Sequence, residues 1–178
     1  MKITTLLGSA KKKGNTATVL GWVEEALESM GHDVSRIYLN SKTIKGCMGC
    51  AKCRENADEI SCVQKDDAIG VLGKMIASDA VIFSSPVYFW GFTAQIKRLI
   101  DRGYALVTNY HQPGHTSLMQ GKRIGLLVTG ALLLSTRRAR PGEDLPEPWQ
   151  PRAVVWWRAV LIGCAQALAI CPGISRSG

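Results

Sequence analysis

The chain has 178 residues, 46% of them apolar and 20% charged, which means one globular domain or at most two and excludes disordered and fibrous classes. Its net charge of +8, from 22 Lys and Arg against 14 Asp and Glu, favours anionic ligands, but the charges are too scattered to indicate nucleic acid. Six cysteines are too few for a disulfide-built miniprotein, and Met1–Thr5 is not a basic stretch leading into an apolar one, so reduced thiols and a cytoplasmic location are expected.

Residues 3–7 are short, apolar and β-branched and predict a strand, followed by a loop over 8–14. A helix begins at Asn15–Thr16, with Val19, Leu20, Val23, Leu27 and Met30 at helical spacing, and Gly31 ends it. Residues 34–39 read as a second strand, before a cysteine-rich loop. Asp66 and Asp67 cap a second helix whose apolar face is Ile69, Leu72, Met75 and Ile76. Residues 80–83 form a continuous apolar run, as in a parallel strand covered on both faces. Thr93 opens a third helix with Ile96, Leu99 and Ile100 inward, and residues 124–128 form a fourth buried strand. Alternating strand and helix predict a parallel sheet with right-handed crossovers, α/β and doubly wound.

Composition changes abruptly after residue 130. Residues 1–130 hold 11 Lys and 5 Arg, whereas 131–178 hold 6 Arg, no Lys and five of the seven prolines. The expected organisation is a domain over 1–130, an irregular linker over 131–152 and an apolar helical fragment over 153–178. Within the last, 153–171 is apolar except for Arg158 and Gln166, so any membrane association is expected only there.

Ligands of an open parallel sheet lie beyond the carboxyl ends of its strands. The loop Gly8-Ser9-Ala10-Lys11-Lys12-Lys13-Gly14-Asn15-Thr16 brings backbone N–H groups, hydroxyls and ammonium groups to a helix N-terminus, which suits a phosphate. The competing reading is a capped turn with solvated lysines. It is neither a Walker A nor a G-x-G-x-x-G motif. Residues 84–92 include Tyr88, Phe89, Trp90 and Phe92, a wall on which a planar heteroaromatic ring can stack, or else a hydrophobic clasp or dimer contact. Val128-Thr129-Gly130 ends the fourth strand. His111 and His115 are i, i+4 outside any regular helix and read as surface loop. Asp101 and Arg102 read as partners in local ion pairs.

Cys47, Cys50, Cys53 and Cys62 form C-x2-C-x2-C-x8-C. Three readings stand: a [4Fe–4S] cluster, structural zinc, or metal-free thiols that are structural or redox-sensitive.

Gly8-Ser9 with Gly14-Asn15-Thr16, the cysteine run with Asp66-Asp67, Ser85-Pro86-Val87-Tyr88, and Lys97 with Asp101-Arg102 follow one another in an order that resembles the NADPH-dependent FMN reductase branch of the flavodoxin-like superfamily. The resemblance implies a sheet of order 2-1-3-4-5 binding FMN; here the order expected is 2-1-3-4, with the fifth strand missing and an apolar helix appended. It implies that Ser9, Lys11, Asn15 and Thr16 hold the FMN phosphate, that Pro86, Val87, Tyr88 and Phe89 border the ring, and that Thr129 and Gly130 complete the pocket. The flavin then carries the chemistry, and no protein residue is expected to be catalytic. NAD(P)H or a reduced carrier would supply electrons to a quinone, flavin, aromatic or Fe–S acceptor. The alternative is an electron carrier without its own small-molecule substrate. A homodimer is implied by the resemblance, and no nucleic-acid partner is expected. The cysteine run resembles the cluster motif of iron–sulfur flavoproteins in the same family, with a longer last gap. Residues 162–178, ending Pro172-Gly173-Ile174-Ser175-Arg176-Ser177, resemble a motif of undecaprenyl-diphosphate phosphatases. The remainder of that enzyme's pattern is absent, so phosphatase activity is not expected, and the join reads as a fusion or a chimera.

Overall fold

The computed structural model describes residues 1–55 and 58–130. The expected linker over 131–152 and the apolar fragment over 153–178, with its phosphatase-like motif, lie outside the described residues.

Four long strands form one parallel sheet: β1 (Lys2–Leu7), β2 (Asp33–Tyr38), β3 (Ala80–Pro86) and β6 (Arg123–Thr129), in the order β2-β1-β3-β6. Register pairs Ile3 with Val34 and Ala80, and Val81 with Ile124. Five of the six β1 residues are buried, because β1 has a strand on either side and helices above and below. Leu6 and Leu7 illustrate the strand period of two. Leu7 joins Leu20 and Ala17 of α1 (Asn15–Ser29) in one cluster. Leu6 joins Leu72 of α2 (Ala68–Ile76) and Ile96 and Leu99 of α3 (Ala94–Arg102) in the other. The sheet is therefore doubly wound, and burial of each large aliphatic side chain contributes about 1.5–3 kcal/mol. Among the described residues the sheet has four strands, and β6 is its edge, with Ile124 64% exposed.

Three local features differ from the sequence reading. Met30 sits at the C-cap of α1 and is exposed rather than part of its apolar face, because the chain turns away at Gly31, φ +82°. At α2, Asp67 holds the cap position but makes no capping bond. Its carboxylate accepts from the Thr43 N–H, while Asp66 accepts from Ala68 N–H at 3.0 Å. Finally, β4 (Val107–Thr108) and β5 (Thr116–Ser117) form a small antiparallel hairpin in what reads as loop, since two-residue strands leave no alternation to detect. His111 and His115 lie in its exposed loop beside Tyr110, with ring centroids 5.6 and 6.2 Å away.

Candidate functional site

β1 has β2 on one side and β3 on the other, so the crossovers leaving β1 and β3 open a crevice at the carboxyl edge between them. Three loops meet there. Gly8 N–H donates to Ser84 O at 2.7 Å. Fully buried Thr93, the N-cap of α3, donates its hydroxyl to Gly8 O at 2.5 Å, accepts from Ile96 N–H at 3.4 Å, and gives its own N–H to Ser85 Oγ at 3.2 Å. The hydroxyls of Thr16 and Thr129 are 2.6 Å apart, and Val87 N–H donates to Thr129 O at 2.9 Å. The lysine-rich turn, the aromatic turn and the end of β6 thus lie side by side, although the bonded positions are up to 113 residues apart.

Close backbone approach explains Gly8. A Cβ there would stand 2.1 Å from Cγ1 and 2.7 Å from Cδ1 of Ile96, which is fully buried and cannot yield. At the start of α1, Gly14 is extended and no side chain caps the helix, so first-turn N–H groups are left for another acceptor. The turn is held from outside: the Tyr38 hydroxyl donates to Ala10 O at 2.7 Å, as does the Asn40 amide at 3.3 Å, and Gln95 donates to Asn40 Oδ1 at 2.8 Å. Ser9 and Thr16 are buried at the base; Lys11 and Asn15 are exposed at the rim. The buried Ser84 hydroxyl, also at the strand end, has no partner among the described residues. A glycine cradle, uncapped helix donors and free ammonium groups fit a phosphate.

In the aromatic turn, Tyr88 and Gly91 exchange N–H···O bonds of 3.0 Å both ways, closing a two-residue hairpin. Its central residues, Phe89 and Trp90, have φ of +46° and +65°, a left-handed pair that favours Asn and Gly. Phe89 is 100% and Trp90 89% exposed, so these rings are not a clasp; only Phe92 packs on the core. Pro86 is half-buried, Val87 and Tyr88 are exposed, and Val87 lies beside Gly130.

The four cysteines line one cavity of about 130 Å³, shared with Arg102 and Tyr104. Left-handed Gly49 (φ +66°) and Ala51 (φ +60°) flank Cys50 and curl the loop around it. All four are free thiols. Burial pushes the Cys53 thiol up; a backbone hydrogen bond opposes this, and the neighbouring thiols Cys62, Cys47 and Cys50 add to the rise. Gly49 N–H donates to Cys47 Sγ at 3.4 Å. Among the described residues no three His, Cys, Asp or Glu are gathered on one metal-ion position. Four cysteine sulfurs around one cavity are the donor set that a [4Fe–4S] cluster would take, and Cys47, Cys50, Cys53 and Cys62 would be the residues holding it.

Arg102 is an element of this cavity that sequence reading does not place. It forms no local pair: it is 1% exposed and bonds Asp66 at 2.7 Å, while Asp101 pairs with Lys97 one turn back. Burial works to raise the Asp66 pKa, but the Arg102 guanidinium and the N–H groups of Lys45 and Ala68 bring it below the ordinary carboxyl value. Burial likewise works to lower the Arg102 pKa, and its bonds to Asp66 and Cys62 more than offset this. Arg54 is equally invisible in the sequence: it lies 4.9 Å from the Tyr104 ring centroid and 4.0 Å from that of Tyr110, tying the cysteine loop to the β4–β5 hairpin.

A parallel doubly wound sheet of order β2-β1-β3-β6 with a loop-lined crevice at its switch point is a flavodoxin-like fold. The chain belongs to the NADPH-dependent FMN reductase family, whose profile matches residues 1–140. It is 34% identical over 176 residues to an iron–sulfur flavoprotein of Archaeoglobus fulgidus, covering 97% of this chain and 71% of that one. It spans about half the length of several other iron–sulfur flavoproteins that it matches. Among solved structures, NAD(P)H:quinone oxidoreductase from Methanothermobacter marburgensis is similar in fold, with a TM-score of 0.59 at 17% identity over 73% of this chain and 65% of that one. A short stretch of 54 residues is 52% identical to an undecaprenyl-diphosphatase of Desulfatibacillum aliphaticivorans, covering 30% of this chain and 17% of that enzyme. No helix among the described residues is long and apolar enough to cross a membrane.

Proposed function

We propose that this protein is an FMN-dependent NAD(P)H oxidoreductase of the iron–sulfur flavoprotein type, passing electrons to a quinone, flavin, aromatic or Fe–S acceptor. The observation that carries this reading is the hydrogen-bonded convergence of the Gly8–Thr16 turn, the 85–92 turn and Thr129–Gly130 on one crevice. In it Ser9, Lys11, Asn15 and Thr16 hold the phosphate, with Pro86, Val87, Tyr88 and Phe89 along the ring and Thr129 and Gly130 behind it. When bound, the flavin supplies the redox chemistry, accepting electrons from a nicotinamide in pairs and releasing them in pairs or singly. The chain itself orients the cofactor, shields one side of it and neutralises its phosphate; no protein nucleophile or base is needed.

Cys47, Cys50, Cys53 and Cys62 are the proposed ligands of a [4Fe–4S] cluster, which supplies one-electron transfer. Their common cavity favours a second reading, an electron carrier without its own small-molecule substrate. A homodimer belongs to the same reading, supported by the exposed rings of Phe89 and Trp90.

The test is a titration of the purified full chain with FMN and with riboflavin, followed by flavin fluorescence. FMN is expected to bind at least tenfold more tightly, since the cradle recognises the phosphate; equal affinities, or no binding, overturn the reading. Rapid NADPH oxidation without a protein partner selects the oxidoreductase, and oxidation only with a partner selects the carrier.

A further inference from the structure

We propose that Arg102 is a positioning residue that donates a hydrogen bond to the Cys62 sulfur as a cluster ligand and raises the cluster's reduction potential. The inference rests on the cluster reading and deepens it.

The guanidinium donors of Arg102 are divided between two tasks. Nη1 reaches Asp66 Oδ2 at 2.7 Å and Lys45 O at 3.2 Å; Nη2 reaches Cys62 Sγ at 3.2 Å. Asp66 is itself immobilised, accepting from Lys45 N–H at 2.9 Å and Ala68 N–H at 3.0 Å. A planar fork gripped at one corner has its other corner aimed, so the donor at Cys62 is preset rather than recruited. The side chain is 1% exposed, and a guanidinium does not lose its proton in proteins, so the sulfur faces a permanent cation shielded from water.

The other thiols are treated differently. Cys47 receives only a long backbone N–H bond and Cys53 only a backbone one, so among the described residues Cys62 alone of the four receives a charged side-chain donor. Arg54, the other arginine on the cavity wall, is turned to the Tyr104 hydroxyl and the two tyrosine rings. Cys62 is also the proposed ligand set furthest along the chain from the other three. Adding an electron places negative charge on the cluster and its thiolates. A fixed cationic donor stabilises that reduced form more than the oxidised one, which moves the potential upward.

The experiment compares the wild-type full chain with Arg102→Lys and with the double variant Arg102→Met/Asp66→Asn, which removes donor and counter-charge together so that no unpaired charge is left buried. Each is reconstituted anaerobically with iron and sulfide and assayed for both, then titrated with dithionite while the reduced cluster is followed by electron paramagnetic resonance. The double variant is expected to keep its iron and sulfide and lose at least tenfold in its one-electron equilibrium constant, a fall of about 59 mV. Arg102→Lys is expected to recover part of that loss. Equal potentials in loaded wild type and double variant overturn the inference while leaving the cluster reading intact. A wild-type chain that takes up no iron and sulfide overturns the cluster reading itself and the inference with it. If the double variant does not fold or load, wild-type protein labelled with guanidino-15N arginine decides: 15N modulation of the reduced-cluster spin echo supports the contact, and its absence overturns it.

Discussion

At the scale of single residues, the Asp66–Arg102 pair makes the clearest stability statement, because both side chains are about as buried as charged groups become. Asp66 has a depressed pKa in the folded protein, so its contribution is complete above the unfolded carboxyl value near 3.9 and is lost as pH falls through the folded value. Asp66→Asn leaves the Arg102 charge buried without its partner and is expected to cost about 3–5 kcal/mol at pH 7. In urea denaturation series, the gap between wild type and variant should narrow as pH falls below about 4; a constant gap would contradict the assignment. Gly8→Ala is a second residue-scale case. Its Cβ would overlap buried Ile96, so a loss of about 1–3 kcal/mol is expected, with weaker FMN binding because the cradle must shift. Urea denaturation and flavin titration of the same sample check both. That Gly8 matters is legible from its position after a strand; that Ile96 is what it must avoid is not, since the two meet only when α3 docks on the end of β1.

Among the elements, the 88–91 hairpin stands out, with two bulky aromatics in backbone conformations that cost an ordinary residue roughly 1–2 kcal/mol each. Strain of this kind persists where function opposes its removal. Replacing Phe89-Trp90 by Asn-Gly relieves it while keeping the turn type. The expected outcome is a gain of about 1 kcal/mol, or about 2–4 °C in Tm, together with weaker flavin binding; calorimetry and titration measure the two. The aromatic composition of this turn is plain in the sequence, but its left-handed backbone is not, because Phe and Trp carry no signal for it. Helix α3 shows the opposite situation. Thr93 followed by Ile96 and Leu99 announces both its start and its buried face, since capping and periodicity act within a few residues.

On the scale of the whole molecule, the crevice draws on three loops tied by hydrogen bonds, so occupying it should stabilise the domain as a unit. FMN at a hundredfold excess over Kd is expected to add about 2.7 kcal/mol, and riboflavin at the same concentration distinctly less, as read by thermal denaturation; equal effects would argue against the phosphate cradle. The alternation of strands and helices, the glycine turn, the aromatic turn and the cysteine spacing are all legible along the chain, because each depends on chemistry within a turn or two of it. Folding alone brings Arg102 across 36 and 40 residues to Asp66 and Cys62, sets Arg54 on Tyr104 and Tyr110, and lets Thr93 tie two strand ends together. Those contacts arise where right-handed crossovers bring distant segments to one edge of a sheet, and no local pattern encodes which side chains then meet.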